Sequence, residues 1–286
     1  KTNAFDVVNY IFLILLSFTF IYPIIMTLAV SFSDPQQMVS HRVYFRPVGF
    51  TLDAYKLLLA DGRILRYYLN TIVYAVLGTT IMLLFTSMMA FPLTYKDFRG
   101  KKLVTVLLMI TMFFSGGLIP YYLLINSLKM IDTIWVMIIP GAISAWNVII
   151  FKTFFLNIPM SLRESAYIDG AGHFRVLFSI IMPLSKALLA TFTLFSIVGY
   201  WNDFFTALLF LNSDEKMPIQ LLLRRMLILA EYKDSQNAEL LLTINRTNPR
   251  TVKSAAVIIT IVPILSVYPF LQKYFASGIM VGSVKA

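Results

Sequence analysis

The chain has 286 residues, of which 58% are hydrophobic and only 13% charged, with a formal net charge of +10 at pH 7 and a mean hydropathy of +0.77. A soluble domain carries roughly 25% charged residues, so the composition excludes an ordinary globular core and fits repeated lipid-spanning segments. Cysteine is absent, which excludes disulfides, thiolate metal sites and cysteine nucleophiles, and the basic excess sits in loops between apolar runs, where it meets lipid phosphates and sets topology rather than binding nucleic acid.

Six apolar runs are long enough to cross about 30 Å of hydrocarbon: Val8–Phe32, Tyr67–Tyr95, Leu103–Ser127, Ile134–Leu156, Leu184–Leu211 and Val252–Phe275. They lack period-two alternation, so they read as helices and not as barrel strands. The expected fold is all-α: a polytopic transmembrane bundle of about six spans, one membrane domain over residues 1–286. The first run follows Lys1, and no small-residue cleavage site comes after it, so it reads as a span and not as a removed signal. Gly116, Gly117 and Pro120 interrupt the third run, Pro140 and Gly141 the fourth, Pro263 and Pro269 the sixth. Such breaks suit a water-lined cavity or ordinary close helix packing.

Orientation follows from the short loops. Lys96–Lys102 holds four basic residues in seven, whereas Lys129–Thr133 holds one. The positive-inside rule puts the first of these in the cytoplasm. Both termini and the segment 159–183 are then cytoplasmic, and the longer loops 33–66 and 212–251 lie outside.

Segment 159–183 is the longest polar break on the cytoplasmic side. Ser161 and Glu164 have capping-box spacing, which predicts a short helix from about Leu162. Gly170 and Gly172 supply a turn, and a second helix is expected from His173 until Pro183 stops it. Phe174, Leu177, Phe178 and Ile181 recur at three- and four-residue spacing, which predicts one shared apolar face. A helix–turn–helix of this kind suits either a groove on another protein or the lipid surface.

The residues Glu164, Ser165, Ala166, Asp169, Gly170, Ala171, Phe178, Ile181 and Pro183 resemble the coupling-loop signature of binding-protein-dependent ABC importer permeases, with Ser165 where alanine is usual. The resemblance extends over nearly the whole chain and is nearest to carbohydrate-uptake permeases of the maltose-permease G type. Gly199–Phe204 is similar to a motif of their fifth span, Gly278–Ala286 to their C-terminus, and Phe114–Tyr121 to a subgroup handling alginate and other complex glycans.

This resemblance implies an importer of oligo- or polysaccharide in the bacterial inner membrane, working by alternating access. Glu164, Ala166, Asp169, Gly170, Ala171, Phe174, Phe178 and Pro183 would couple to a dimeric nucleotide-binding ATPase, and Gly278, Gly282 and Lys285 in the tail 276–286 would touch it. It also implies a second, homologous permease subunit and an extracytoplasmic substrate-binding protein as partners. No G-x-x-x-x-G-K-[ST] occurs, so ATP and Mg belong to the partner ATPase and this chain is a non-catalytic subunit without a cofactor of its own. With only His41 and His173, neither a metal site nor a hydrolytic triad is expected.

A sugar path needs hydroxyl-matching polar groups and flat aromatic faces. Trp146, Asn147, Tyr200, Trp201, Asn202 and Asp203 are the candidates. Asp203 is the one acidic residue well inside an apolar run, which suits either a pore-lining role or a structural hydrogen bond. Lys152 is expected to snorkel towards the cytoplasm. A helix is expected over Ile219–Ala230. Arg42, Arg46, Arg224, Arg225, Arg246 and Arg250 suit an anionic glycan or pairing with Asp214, Glu215, Glu231, Asp234 and Glu239. The competing function is a secondary transporter or channel for a small polar solute, and a membrane-embedded enzyme lacks the clustered acidic or His residues it needs.

Overall fold

A computed structural model of the chain describes residues 3–60, 62–229 and 250–266. Among these residues the regular structure is helical, apart from one isolated bridge between Ser33 and Phe50. The described residues of Lys1–Arg66 and Leu222–Pro263 form one compact unit, and those of Tyr67–Leu221 and Ile264–Ala286 form another.

In the first unit, α1 (Ala4–Ser31) has 28 residues, and none of its most apolar stretch is buried. A helix of this length reaches about 42 Å, enough to cross hydrocarbon. Its side chains are those expected to face lipid. At its end the Ser33 hydroxyl donates to the Ala29 carbonyl at 2.7 Å and accepts from the Val48 N–H at 3.1 Å. Phe32 stacks on Phe50 and Tyr55, with centroids 5.5 and 4.9 Å away, which seats α2 (Asp53–Ala60). The helix over residues 250–266 belongs to this unit up to Pro263, which lies within it and does not end it. The rest of the sixth apolar run, with Pro269, lies outside the described residues.

The second unit carries the candidate site. It holds α3 (Arg63–Ala90) from Tyr67 onward, and this helix passes through a 3-10 turn to Thr94. Then come α4 (Lys101–Phe113) and α5 (Leu118–Ser127), separated at Gly117, whose φ of 83° suits only glycine without strain. Next, α6 (Trp135–Ile138) and a 3-10 turn to Gly141 bend by 47° into α7 (Ala145–Leu156), as Pro140 and Gly141 lead one to expect. After these come α8 (Met160–Ile168), α9 (His173–Leu184), α10 (Lys186–Asn202) and α11 (Phe205–Phe210). The helix expected over Ile219–Ala230 is present as α12 (Ile219–Leu229), of which Ile219–Leu221 belong to this unit and the rest to the first. The fifth apolar run is broken at Asp203, where no Gly or Pro announces it. The Asp203 carboxylate accepts the Thr206 N–H at 3.0 Å and so starts α11.

Two structures mark the two ends of α3 within this unit. At its start is a polar clamp. The Tyr67 hydroxyl donates to Asp214 at 2.6 Å and the Tyr74 hydroxyl to the Lys216 carbonyl at 2.6 Å. Asn70 donates to the carbonyls of Glu215 and Met217 at 2.7 and 3.0 Å. At its far end, Ala90, Phe91 and Leu93 enter an apolar core with Phe151 and Phe155 of α7 and Val176, Leu177 and Ile181 of α9. From Tyr67 of the clamp to Ala90 of this core is about 35 Å along one helix, enough to cross the hydrocarbon of a membrane.

Candidate functional site

Segment 159–183 folds as a helical elbow, with corrections to the expected details. The Ser161–Glu164 capping box does not form. Helix α8 starts at Met160 with Pro159 as its N-cap, and no side chain closes the first turn. Proline presets φ and brings no N–H, so the helix begins directly after it and leaves Ser161 inside. The turn is as expected and its chemistry is now explicit. Gly170 takes φ +79°, its N–H bonds the Tyr167 carbonyl at 3.0 Å, and the Ala171 N–H bonds the Ala166 carbonyl at 2.9 Å. This is a Schellman cap, with Ala166 and Ala171 as the apolar pair that accompanies it.

Pro183 does not stop the second helix. A π turn over Leu177–Ile181 lets the Met182 N–H bond back to Leu177, and Pro183 then falls in the first turn of a new α segment, where no N–H is needed. The chain instead turns at Ser185, 82° into α10, with the Ser185 hydroxyl donating to the Ile181 carbonyl at 2.7 Å. The four apolar residues of α9 do not share a face. Leu177 and Ile181 are buried at 2% and 0% exposure, whereas Phe174 and Phe178 stand out at 66% and 42%. The stripe they form is wider than the core on which α9 lies.

The coupling candidates divide by the same logic. Ala166 and Ala171 face the core, and Glu164, Asp169, Gly170, Phe174, Phe178 and Pro183 are exposed. Ser165 is exposed too, so the residue that departs from the alanine pattern touches nothing that alanine would fill.

A residue that sequence reasoning passed over holds the elbow in place. Arg163 is 2% exposed. It donates Nη1 to the Thr94 hydroxyl at 2.8 Å and Nη2 to the Phe155 carbonyl, and its guanidinium lies 5.7 and 5.9 Å from the ring centres of Phe91 and Tyr95. The Phe155 carbonyl lies in the last turn of α7, where it also accepts the Ile158 N–H at 3.3 Å and where a cation is favoured by the helix dipole. Two rings supply a further cation–π attraction. Burial pulls the Arg163 pKa down from its usual value, against the two nearby tyrosines. The signal in the sequence was spacing: Arg163 precedes Ala166 by three residues and so shares its inward face. Beside it, Tyr95 and Tyr167 share a hydrogen bond, and Tyr167 bonds His173 Nδ1 at 2.8 Å, which ties the end of α3 to α8 and α9.

A cavity of about 950 Å³ lies beside Met82, in the second half of α3. Of the path candidates, Trp146, Asn147, Tyr200, Asn202 and Asp203 line it. Trp201 does not: it is 6% exposed and its ring packs 6.0 Å from Tyr68, because consecutive helix residues point about 100° apart. Ser196, Thr206 and Tyr121 add polar groups, and among the described residues the lining carries one carboxylate and no basic side chain. Asn202 also accepts from Gln220 at 3.0 Å. Gly278, Gly282 and Lys285 lie outside the described residues, as do Arg246, Glu231, Asp234 and Glu239.

A cavity with several polar groups on a mostly apolar wall, beside a helix long enough to cross a membrane, is what an integral membrane transport protein presents. The chain belongs to the family described as binding-protein-dependent transport system inner membrane component, which matches residues 47–281. It is 39% identical over 288 residues to the polygalacturonan/rhamnogalacturonan transport system permease protein YtcP of Bacillus subtilis (strain 168), covering 100% of this chain and 99% of that protein. Protein LplC of the same organism is 42% identical over 284 residues, covering 99% and 95%. A solved bacterial ABC transporter involved in the import of the acidic polysaccharide alginate contains a chain that superposes with a TM-score of 0.88 at 31% identity, covering 95% of this chain and 96% of that one.

Proposed function

We infer that this chain is the pore-forming subunit of an ABC importer for oligo- or polysaccharide, driven by a separate ATPase through the elbow at 159–183. Family membership and the two polysaccharide-transporting relatives support the substrate class. The observation that carries the mechanism is the two-sidedness of the elbow. Its inner side is pinned by Arg163, Ala166, Leu177 and Ile181, while Ile168, Phe174 and Phe178 project at 87%, 66% and 42% exposure. An apolar surface on a rigidly held helix pair suits docking into a cleft of a nucleotide-binding subunit.

In this reading the chain makes six spans with both termini in the cytoplasm, the elbow inside and the Asp214–Met217 loop outside. ATP and Mg sit in the dimeric ATPase, and closure of that dimer pushes the elbow as a lever. The cavity is half of a sugar path, completed by a second, homologous permease, and an extracytoplasmic binding protein delivers the glycan. Glu164 and Asp169 lie at the ATPase contact, as do Gly278, Gly282 and Lys285 of the tail. A secondary transporter or channel needs no such elbow, and the family match does not favour it.

The test is Asp169→Lys and Glu164→Lys in the assembled transporter in proteoliposomes. Both are exposed, so folding should be kept while uptake per ATP hydrolysed falls at least about tenfold, the size of losing one charge-assisted contact. Normal uptake by Asp169→Lys would overturn the lever assignment. Binding of neutral and uronic-acid oligosaccharides to the partner binding protein identifies the substrate.

A further inference from the structure

Tyr200 of α10 is held between two glycines from other elements. A Cβ at Gly78 of α3 would lie 2.2 Å from the ring Cζ and 2.5 Å from Cε2, and a Cβ at Gly141 would lie 2.7 Å from the hydroxyl oxygen. Contacts under 3.0 Å essentially never occur, so both glycines are needed for the ring to sit where it does. Neither has positive φ, so backbone freedom is not their purpose. The hydroxyl points at the Ile138 carbonyl, 3.5 Å away, just before the Pro140 break. The ring also borders the cavity, so the space into which it would be pushed is the cavity itself.

We propose that Tyr200 sets the bore of the cavity, and that the Gly78–Gly141 slot keeps its ring against the wall to leave room for a bulky, ring-shaped solute. Motion of α10 against α3 or against the turn before α7 draws the ring out of the slot, so the bore changes with the conformational state. The consequence for sugar passage rests on the cavity being the path, whereas the slot itself does not.

The chain has no cysteine, so Asn147→Cys supplies a single thiol on the cavity wall. Its reaction with fluorescein maleimide and with the smaller N-ethylmaleimide is followed in the full-length chain within the assembled transporter in nanodiscs. Gly78→Ala should slow the bulky reagent about tenfold and the small one less, as the displaced ring fills the space. Tyr200→Ala in that background should restore the rate. Tyr200→Phe should rescue Gly141→Ala, whose Cβ meets the hydroxyl with Cζ at 3.6 Å, and should not rescue Gly78→Ala, whose Cβ meets ring carbons. Unchanged labelling in Gly78→Ala overturns the proposal, as does failure of Tyr200→Ala to restore it. Should Gly78→Ala not assemble, the Gly141→Ala and Tyr200→Phe pair decides the question in its place: slowed labelling that Tyr200→Phe restores supports the slot, and unchanged labelling overturns it. Uptake of a radiolabelled oligogalacturonide by the same variants in proteoliposomes is read in parallel. Labelling that follows the pattern while uptake does not keeps the slot and removes the path.

Discussion

Arg163 is a buried cation whose partners are a hydroxyl, a carbonyl and two rings. Such a group holds its place because it is bonded and packed on several sides, and removing it strands the groups it satisfied. Arg163→Met keeps most of the volume but removes the donor to the Thr94 hydroxyl and one of the two donors to the Phe155 carbonyl. The expected loss is about 2–4 kcal/mol, seen as a lower melting temperature of the purified complex. Arg163→Lys should recover part of it and also part of the uptake per ATP, because one donor still reaches the end of α7. A Met variant as stable as the parent would mean that packing alone seats the elbow.

Among the elements, the loop after α11 is densely bonded. Asp132 accepts the Ser213 N–H at 2.9 Å and pairs with Lys216 Nζ at 2.9 Å, while α3 grips the same loop through Tyr67, Asn70 and Tyr74. Hydrogen bonds from Ser213 are the main reason that the Asp132 carboxyl is held well below its usual value of 3.8, with Lys216 adding to them. A depressed folded-state pKa contributes stability that is complete above the ordinary carboxylate range and fades as pH falls through the folded value. Asp132→Asn should therefore melt below the parent at pH 7, with the gap shrinking only under about pH 4. The pair is partly exposed, so screening keeps the effect modest and salt should reduce it. A gap that is the same at pH 7 and pH 3 would assign the loss to geometry and not to charge.

At the scale of the whole molecule, the outward-facing features point to other subunits. In the proposed function, the exposed Phe174 and Phe178 of the elbow meet another chain, and that chain supplies the energy. The chain purified by itself should hydrolyse no ATP. A tagged chain drawn from native membranes should bring an ATPase and a second permease with it, as identified by mass spectrometry. Transport by the chain reconstituted alone would overturn this division of labour.

Composition, the length of the apolar runs and their lack of period-two alternation determined, from sequence alone, that the chain is a helical membrane protein, because lipid leaves the backbone only helices or a closed barrel. The turn at Gly170–Gly172 was legible for a local reason: at Gly170 only glycine takes φ +79° cheaply, and the cap closes within six residues. Five of the six path candidates reached the cavity because polar residues deep in an apolar run have few other places to go. What failed was decided at a distance. The core covered Leu177 and Ile181 and left Phe174 and Phe178 outside it, Asp203 broke a run at a place that no Gly or Pro marked, and Arg163 drew its partners from the end of α3 and from α7. The slot for Tyr200 is of the same kind, since Gly78, Gly141 and Tyr200 meet only when three helical segments cross. Periodicity reports the face of a helix, and only the packed neighbours decide which part of that face is covered.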